Sequence, residues 1–110
     1  MDYHPDVWVI IELTGTGVHE GKYYRVLAGW YGGFAGSDGW KASSGIVAIK
    51  DHDTHWEIEN TSGSLYYCHK NTERLSGYTT SILNKFMQGN SPELSVRQVP
   101  IQEVDLATKC

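Results

Sequence analysis

One segment of this 110-residue chain, LSGYTTSILNKFMQGN (75–90), carries the 3.6-residue apolar period of an amphipathic helix. Leu75, Tyr78, Ile82 and Phe86 fall on one face, flanked by Leu83 and Met87. Ser76 stands where an N-cap belongs, and Gly89 or Asn90 stops the helix before Pro92. A lone helix of roughly three turns is marginal in water and needs an apolar surface to cover. The rest of the chain reads as strands, so that surface has to be a sheet.

Residues 7–14, VWVIIELT, set Val7, Val9, Ile11 and Leu13 on one face, with Trp8, Ile10 and Glu12 on the other. The glycine-rich GTGVHEG (15–21) breaks this strand and gives a hairpin-like connection. In KYYRVLAGWY (22–31), Tyr24, Val26, Ala28 and Trp30 share a face opposite Tyr23, Arg25, Leu27 and Gly29. The small Ala28 and Gly29 imply a bend or the close approach of another element. After GGFAGSDG (32–39), residues 40–51 hold a third strand, best defined at 46–50, with Gly45 as a candidate bulge. HWEIEN and SLYYCHK flank TSGS as a hairpin. With Ser62 and Gly63 as a two-residue turn, Trp56 faces His69, Ile58 faces Tyr67 and Asn60 faces Leu65 on the apolar side. Glu57–Cys68 and Glu59–Tyr66 then form the other side. The last strand lies in ELSVRQVPIQEV, with Pro100 ending it or confining it to an edge.

The expected fold is therefore α+β: a strongly twisted or partly closed antiparallel sheet of five to six strands, with one C-terminal amphipathic helix packed on it. Hydrophobic residues make up 40% and charged residues 20%, a balance that supports a packed core. A single domain over 1–110 follows, with an ordered core about 7–104.

Several function classes lose ground on composition. The net charge is −4 and no run of Lys or Arg occurs, which disfavours nucleic acid unless folding gathers Lys22, Arg25 and Lys41. No window approaches the ~20 apolar residues that span a bilayer, and no basic n-region precedes the first strand, so no membrane partner is expected. Only Cys68 and Cys110 occur, which points to the cytoplasm and no structural disulfide. Phosphate loops, dinucleotide glycine patterns, HExxH and nucleophile elbows are all missing, and no cofactor is expected.

Three clusters could carry chemistry. Asp51, Asp53 and His55 of DHDTH point one way if extended, and with His69 and Cys68 they offer ligands for zinc. Polar loops also use Asp and His for turns, and that reading is preferred, with no metal site assigned. Cys68 and His69 are adjacent strand residues facing opposite sides, so they do not pair as nucleophile and base. Glu12, Glu57 and Glu59 could supply paired carboxylates, but a solvated sheet face is the preferred reading.

The aromatic residues around the glycine loop carry the leading expectation. Tyr24, Trp30, Tyr31, Phe34 and Trp40, with Arg25 and Asp38 as orienting polar groups, form a candidate surface for a small molecule or partner protein. Against it stands the structural reading, which these residues favour by themselves: Trp30 and Trp40 plug the ends of a small core and the glycines merely turn the chain. On the binding reading the chain is a non-enzymatic binding module with no catalytic residues, open to homodimerisation through an exposed edge strand. The alternative is a small enzyme with a pocket between helix and sheet, drawing on His55, His69, Glu57 or Asp51.

The segments YYRVLAGWYGGFAGSDGWKASSGI (23–46) and SGSLYYCHKN (62–71) resemble those of small bacterial proteins carried on integron gene cassettes. The resemblance covers about residues 7 to 88. It implies a soluble, compact, accessory product of a mobile element and transfers no catalytic residue.

Overall fold

The computed structural model describes residues 2–15, 21–32, 39–89 and 94–104. These residues form eight strands and one α-helix. The elements are β1 (Asp2–Tyr3), β2 (Val7–Gly15), β3 (Gly21–Trp30), β4 (Gly39–Ala42), β5 (Ile46–Asp51), β6 (His55–Asn60), β7 (Leu65–His69), α1 (Gly77–Gln88) and β8 (Leu94–Val99). The strands make two four-stranded sheets, ordered β1-β7-β6-β5 and β4-β3-β2-β8. All pairings are antiparallel except β1 with β7.

Two sheets in place of one follow from β2. Trp8 and Ile10 on one face, and Val9 and Ile11 on the other, are all buried. A strand apolar on both faces needs a cover on each side. Trp8, Ile10, Tyr24, Val26, Ala28 and Val99 pack against Ile46, Ile58, Tyr66 and Cys68 of the opposing sheet. Val9, Ile11 and Leu27 pack against Ile82 and Leu83 of α1. The β4-β3-β2-β8 sheet is thus the middle of three layers.

The chain changes sheets between β4 and β5. The buried Ser43 donates its N–H to Val26 O and accepts the Val26 N–H on its hydroxyl, both at 2.9 Å. Ser43 thereby ends the pairing with β3. Two residues later Gly45 O accepts the Thr61 N–H at 2.8 Å, on the side of the second sheet. The stretch expected as one strand is therefore two, and the register irregularity lies between Ile46 and Ala48, past Gly45.

The β6–β7 hairpin exists, but its register differs by one residue from the two-residue-turn expectation. His55 faces His69, Trp56 faces Cys68, Glu57 faces Tyr67 and Ile58 faces Tyr66. Thr61, Ser62 and Gly63 make a three-residue loop, with Gly63 at φ 87°. Gly63 donates its N–H to Asn60 O at 2.8 Å, and Asn60 donates to Ser64 O at 3.1 Å. A left-handed third residue is the usual end of such a loop, and glycine takes it without a Cβ penalty. A one-residue slip exchanges the faces of a strand. Tyr66 and Cys68 accordingly point into the core, while Tyr67 and His69 point outward beside His55 and Glu57.

Helix α1 begins as expected. The Ser76 hydroxyl accepts the Thr79 N–H at 3.1 Å, and the Thr79 hydroxyl accepts the Ser76 N–H at 2.8 Å. Its inner face is turned slightly from the expected one: Thr79, Ile82 and Leu83 are buried, while Tyr78 and Met87 are exposed. β8 is an edge strand, and Pro100 follows it directly.

Candidate functional site

Among the described residues, those expected to form the aromatic surface do not make one patch. Tyr24 lies in the inter-sheet core at 3% exposure, so it is a packing residue and not a contact residue. Trp30 is half-buried at the rim of that core, and its indole N–H donates to His4 O at 3.0 Å. Tyr31 is exposed, with its backbone N–H held by Asp6 Oδ2 at 2.8 Å. Trp40 is exposed on the opposite, helix-bearing face, edge-on to Phe86 at 5.6 Å between ring centroids. The reason is strand alternation: Trp40 pairs with Gly29, whose face is opposite that of Tyr24 and Trp30. Phe34 and Asp38 lie outside the described residues.

A pocket does exist between helix and sheet. It has a volume of about 190 Å³ and is lined by Ile11, Leu13, Arg25, Ala42, Phe86 and Val96. Its cause is a mismatch of length. The twelve residues of α1 reach about 18 Å, whereas the ten residues of β3 run for about 33 Å. The helix covers Val9 and Leu27 and leaves the Leu13 end of the face open. Five of the six lining side chains are apolar, and Arg25 supplies the one charge. Among the described residues Arg25 has no ion-pair partner.

None of the histidines or acids of the enzyme alternative lines this pocket. His55, His69 and Glu57 stand on the outer face of the other sheet, on the far side of the sandwich. There, His4 stacks on Tyr67 at 4.9 Å, and His55 meets Tyr67 edge-on at 5.9 Å. His52 stacks on His55 at 4.7 Å, and His52 Nε2 is 3.0 Å from Glu57 Oε1. His4, His55, Tyr67 and His69 line a shallow cavity of about 340 Å³. Burial, then the charges of Asp2 and Glu57, push the Tyr67 hydroxyl above its ordinary pKa.

The DHDTH segment turns instead of extending, with the His52 N–H donating to His55 O at 3.0 Å, so its side chains do not converge. Asp51 pairs with Lys70, and no group of three or more His, Cys, Asp or Glu among the described residues is placed to hold a metal. Cys68 is fully buried, and burial followed by the Glu73 charge raises its pKa far above the ordinary thiol value. A thiol held protonated is a poor nucleophile.

The three glutamates are not brought together either. Glu12 is buried at the end of β2, whereas Glu57 and Glu59 belong to β6 of the other sheet. Burial by itself raises the Glu12 pKa. The Arg97 hydrogen bond at 2.9 Å and its charge, then Lys22 at 3.9 Å and a bond with Tyr24, outweigh that and hold the carboxyl below 4.5. A depressed folded-state pKa gives stability that is complete above the unfolded value and lost as pH falls through the folded one. The urea midpoint of the wild type should therefore drop below about pH 4.5 more steeply than that of Glu12→Gln, and the two curves should converge in acid. Parallel curves from pH 7 to 3 would remove Glu12 from the acid response.

The three cations whose clustering would have favoured nucleic acid are also dispersed. Lys22 serves Glu12, Lys41 lies over the Tyr3 ring at 5.5 Å, and Arg25 faces the helix side. No helix among the described residues is long and apolar enough to cross a membrane. No protein-family model, curated protein sequence or solved structure matches the chain.

Proposed function

We propose that the chain is a binding module for a small molecule with an apolar body and an anionic end, held in the groove between α1 and the β4-β3-β2-β8 sheet. The observation that carries this reading is the pairing of five apolar walls with the single cation Arg25. Ligand pockets combine a mostly apolar lining with a few polar groups that orient the ligand. The volume of about 190 Å³ sits below the roughly 300–1,000 Å³ of drug-sized sites, which favours a single ring or short chain. Arg25 offers a planar fork suited to a carboxylate. Trp40, packed on Phe86, extends the apolar rim.

Amide chemical shifts report the test directly. Monocarboxylates with one ring or a six- to eight-carbon tail should move the resonances of Ile11, Leu13, Ala42, Phe86 and Val96, and the matching amines should not. Arg25→Gln should weaken carboxylate binding by up to about fivefold, the worth of one exposed ion pair. Leu13→Trp, which fills the groove, should remove it. Silence of all five resonances across the acid series would end the proposal.

A further inference from the structure

The outer face of the β1-β7-β6-β5 sheet has a second chemistry that the groove does not use. We propose that His55 and His69 form an open chelating site for a first-row divalent metal ion of the zinc, nickel or copper kind.

The two residues are direct register partners across the β6–β7 ladder, so their side chains leave the same face side by side. Their ring centroids are 6.2 Å apart with the planes tilted by 58°. Imidazole nitrogens bind zinc at about 2.0–2.1 Å, which sets the centres of two cis ligands roughly 5 Å apart. Closing the difference takes about 1 Å of side-chain rotation and no movement of the ladder, since metal–nitrogen distances fix only the ring ends.

The surroundings prepare the His55 ring. His55 Nδ1 lies 3.4 Å from the Thr54 hydroxyl, which leaves Nε2 for a metal. Outer partners of this kind fix ring orientation in metal sites. His52 stacks on His55 at 4.7 Å and is itself anchored by Glu57, so the His55 ring is buttressed. The Glu57 carboxylate adds negative charge beside the site, shared in part with Lys50 at 3.9 Å. Lys70 is turned away, paired with Asp51 and lying over the Trp56 ring at 4.8 Å.

Two imidazoles leave the remaining coordination positions to water or to a donor from another molecule, which makes the site open and exchangeable. The donor set also fixes the metal class. Imidazole suits zinc, copper and nickel, whereas calcium and magnesium require oxygen ligands. Cys68 is turned into the core and contributes no thiolate.

The test is calorimetric titration of the full-length chain with zinc chloride at pH 7.5. The Cys110→Ser variant serves as background, so that the terminal thiol cannot supply the signal. One binding event is expected, absent with calcium chloride, whose ion requires oxygen ligands. His55→Gln and His69→Gln should each abolish it, His4→Gln should keep it, and His52→Gln, which removes the stacking support of His55, should only weaken it. His69 is exposed and His55 is not buried, so all four variants should melt within a degree or two of the background, and loss of binding cannot be mistaken for unfolding. No zinc binding by the background chain would overturn the proposal. So would binding that survives the His55→Gln/His69→Gln double variant, or that vanishes only with His4→Gln.

Discussion

Trp8→Ala will cost about 3–5 kcal/mol of stability, the range for removing a large aromatic side chain from a packed core. Trp8 is 1% exposed and sits between the two sheets among Ile10, Tyr66 and Cys68. It also ties the layers by a polar bond: its indole N–H donates to the His69 carbonyl at 2.7 Å. Domains of this size have total stabilities of about 5–15 kcal/mol, so the variant will be near the edge of folding at 25 °C. Trp8→Phe separates the two contributions. It keeps most of the ring and removes the indole donor, while the Thr72 hydroxyl still donates to the same carbonyl at 3.2 Å. The cost is that of one hydrogen bond, about 0.5–1.5 kcal/mol. Urea unfolding followed by circular dichroism measures both. A loss under about 1.5 kcal/mol for Trp8→Ala would place the ring outside a well-packed core.

Gly29→Ala will destabilise by about 1–3 kcal/mol, although it adds a single methyl group to a strand. A Cβ at this position would stand 2.6 Å from Thr79 Cγ2 and 3.1 Å from Val7 Cγ2. Thr79 cannot swing aside freely, because its hydroxyl is held in the reciprocal cap with Ser76. The added methyl therefore pushes on the first turn of α1 as a unit. Thr79→Ser supplies the internal control, since it deletes Cγ2 and keeps the capping hydroxyl. The double variant should recover part of the loss, the contact with Val7 accounting for the remainder. A double-mutant cycle with no coupling energy would show that the helix does not dock at Gly29.

The parts of this architecture legible in the sequence were those set by local pattern. The periodicity of 75–90 and the position of Ser76 gave the helix and its start. The paired small residues of β3 announced a close approach, and Gly29 is where Thr79 arrives. Two features were not legible. The passage from one sheet to the other at Ser43–Gly45 depends on a side-chain hydroxyl replacing a backbone partner, and nothing in WKASSGIV distinguishes that from a continuing strand. The TSGS turn permits loops of two or three residues, and only the left-handed Gly63 decides between them. That single residue of register determines whether His69 stands beside Trp56 in the core or beside His55 in solvent.

The candidate sites inherited these difficulties. Aromatic residues close together in sequence were separated by alternation onto opposite faces of one sheet, leaving Arg25 and Trp40 near the groove and Tyr24 in the core. The groove had a signal that composition did not display: a twelve-residue helix is too short to shelter the whole face of β3. The histidine face was legible only in part: His55 and His69 stood among the zinc candidates, but the slipped register that pairs them and the arrival of His4 did not show. His4 reaches it from β1's far end, through a parallel pairing between the chain's first described residues and β7.

The strand buried on both faces has a last consequence, for how such a chain can change over generations. From Val7 to Ile11 every side chain is at most 2% exposed, and from Trp8 to Ile11 each belongs to the cluster shared with either the opposing sheet or the helix layer. No substitution there is free, because a change of volume is felt in one layer or the other. His69 and Glu59 on the outer sheet face are exposed and lie outside both apolar clusters. Mutational intolerance is thus concentrated in one short strand. The histidine face can gain, lose or retune a ligand while that strand keeps the fold intact.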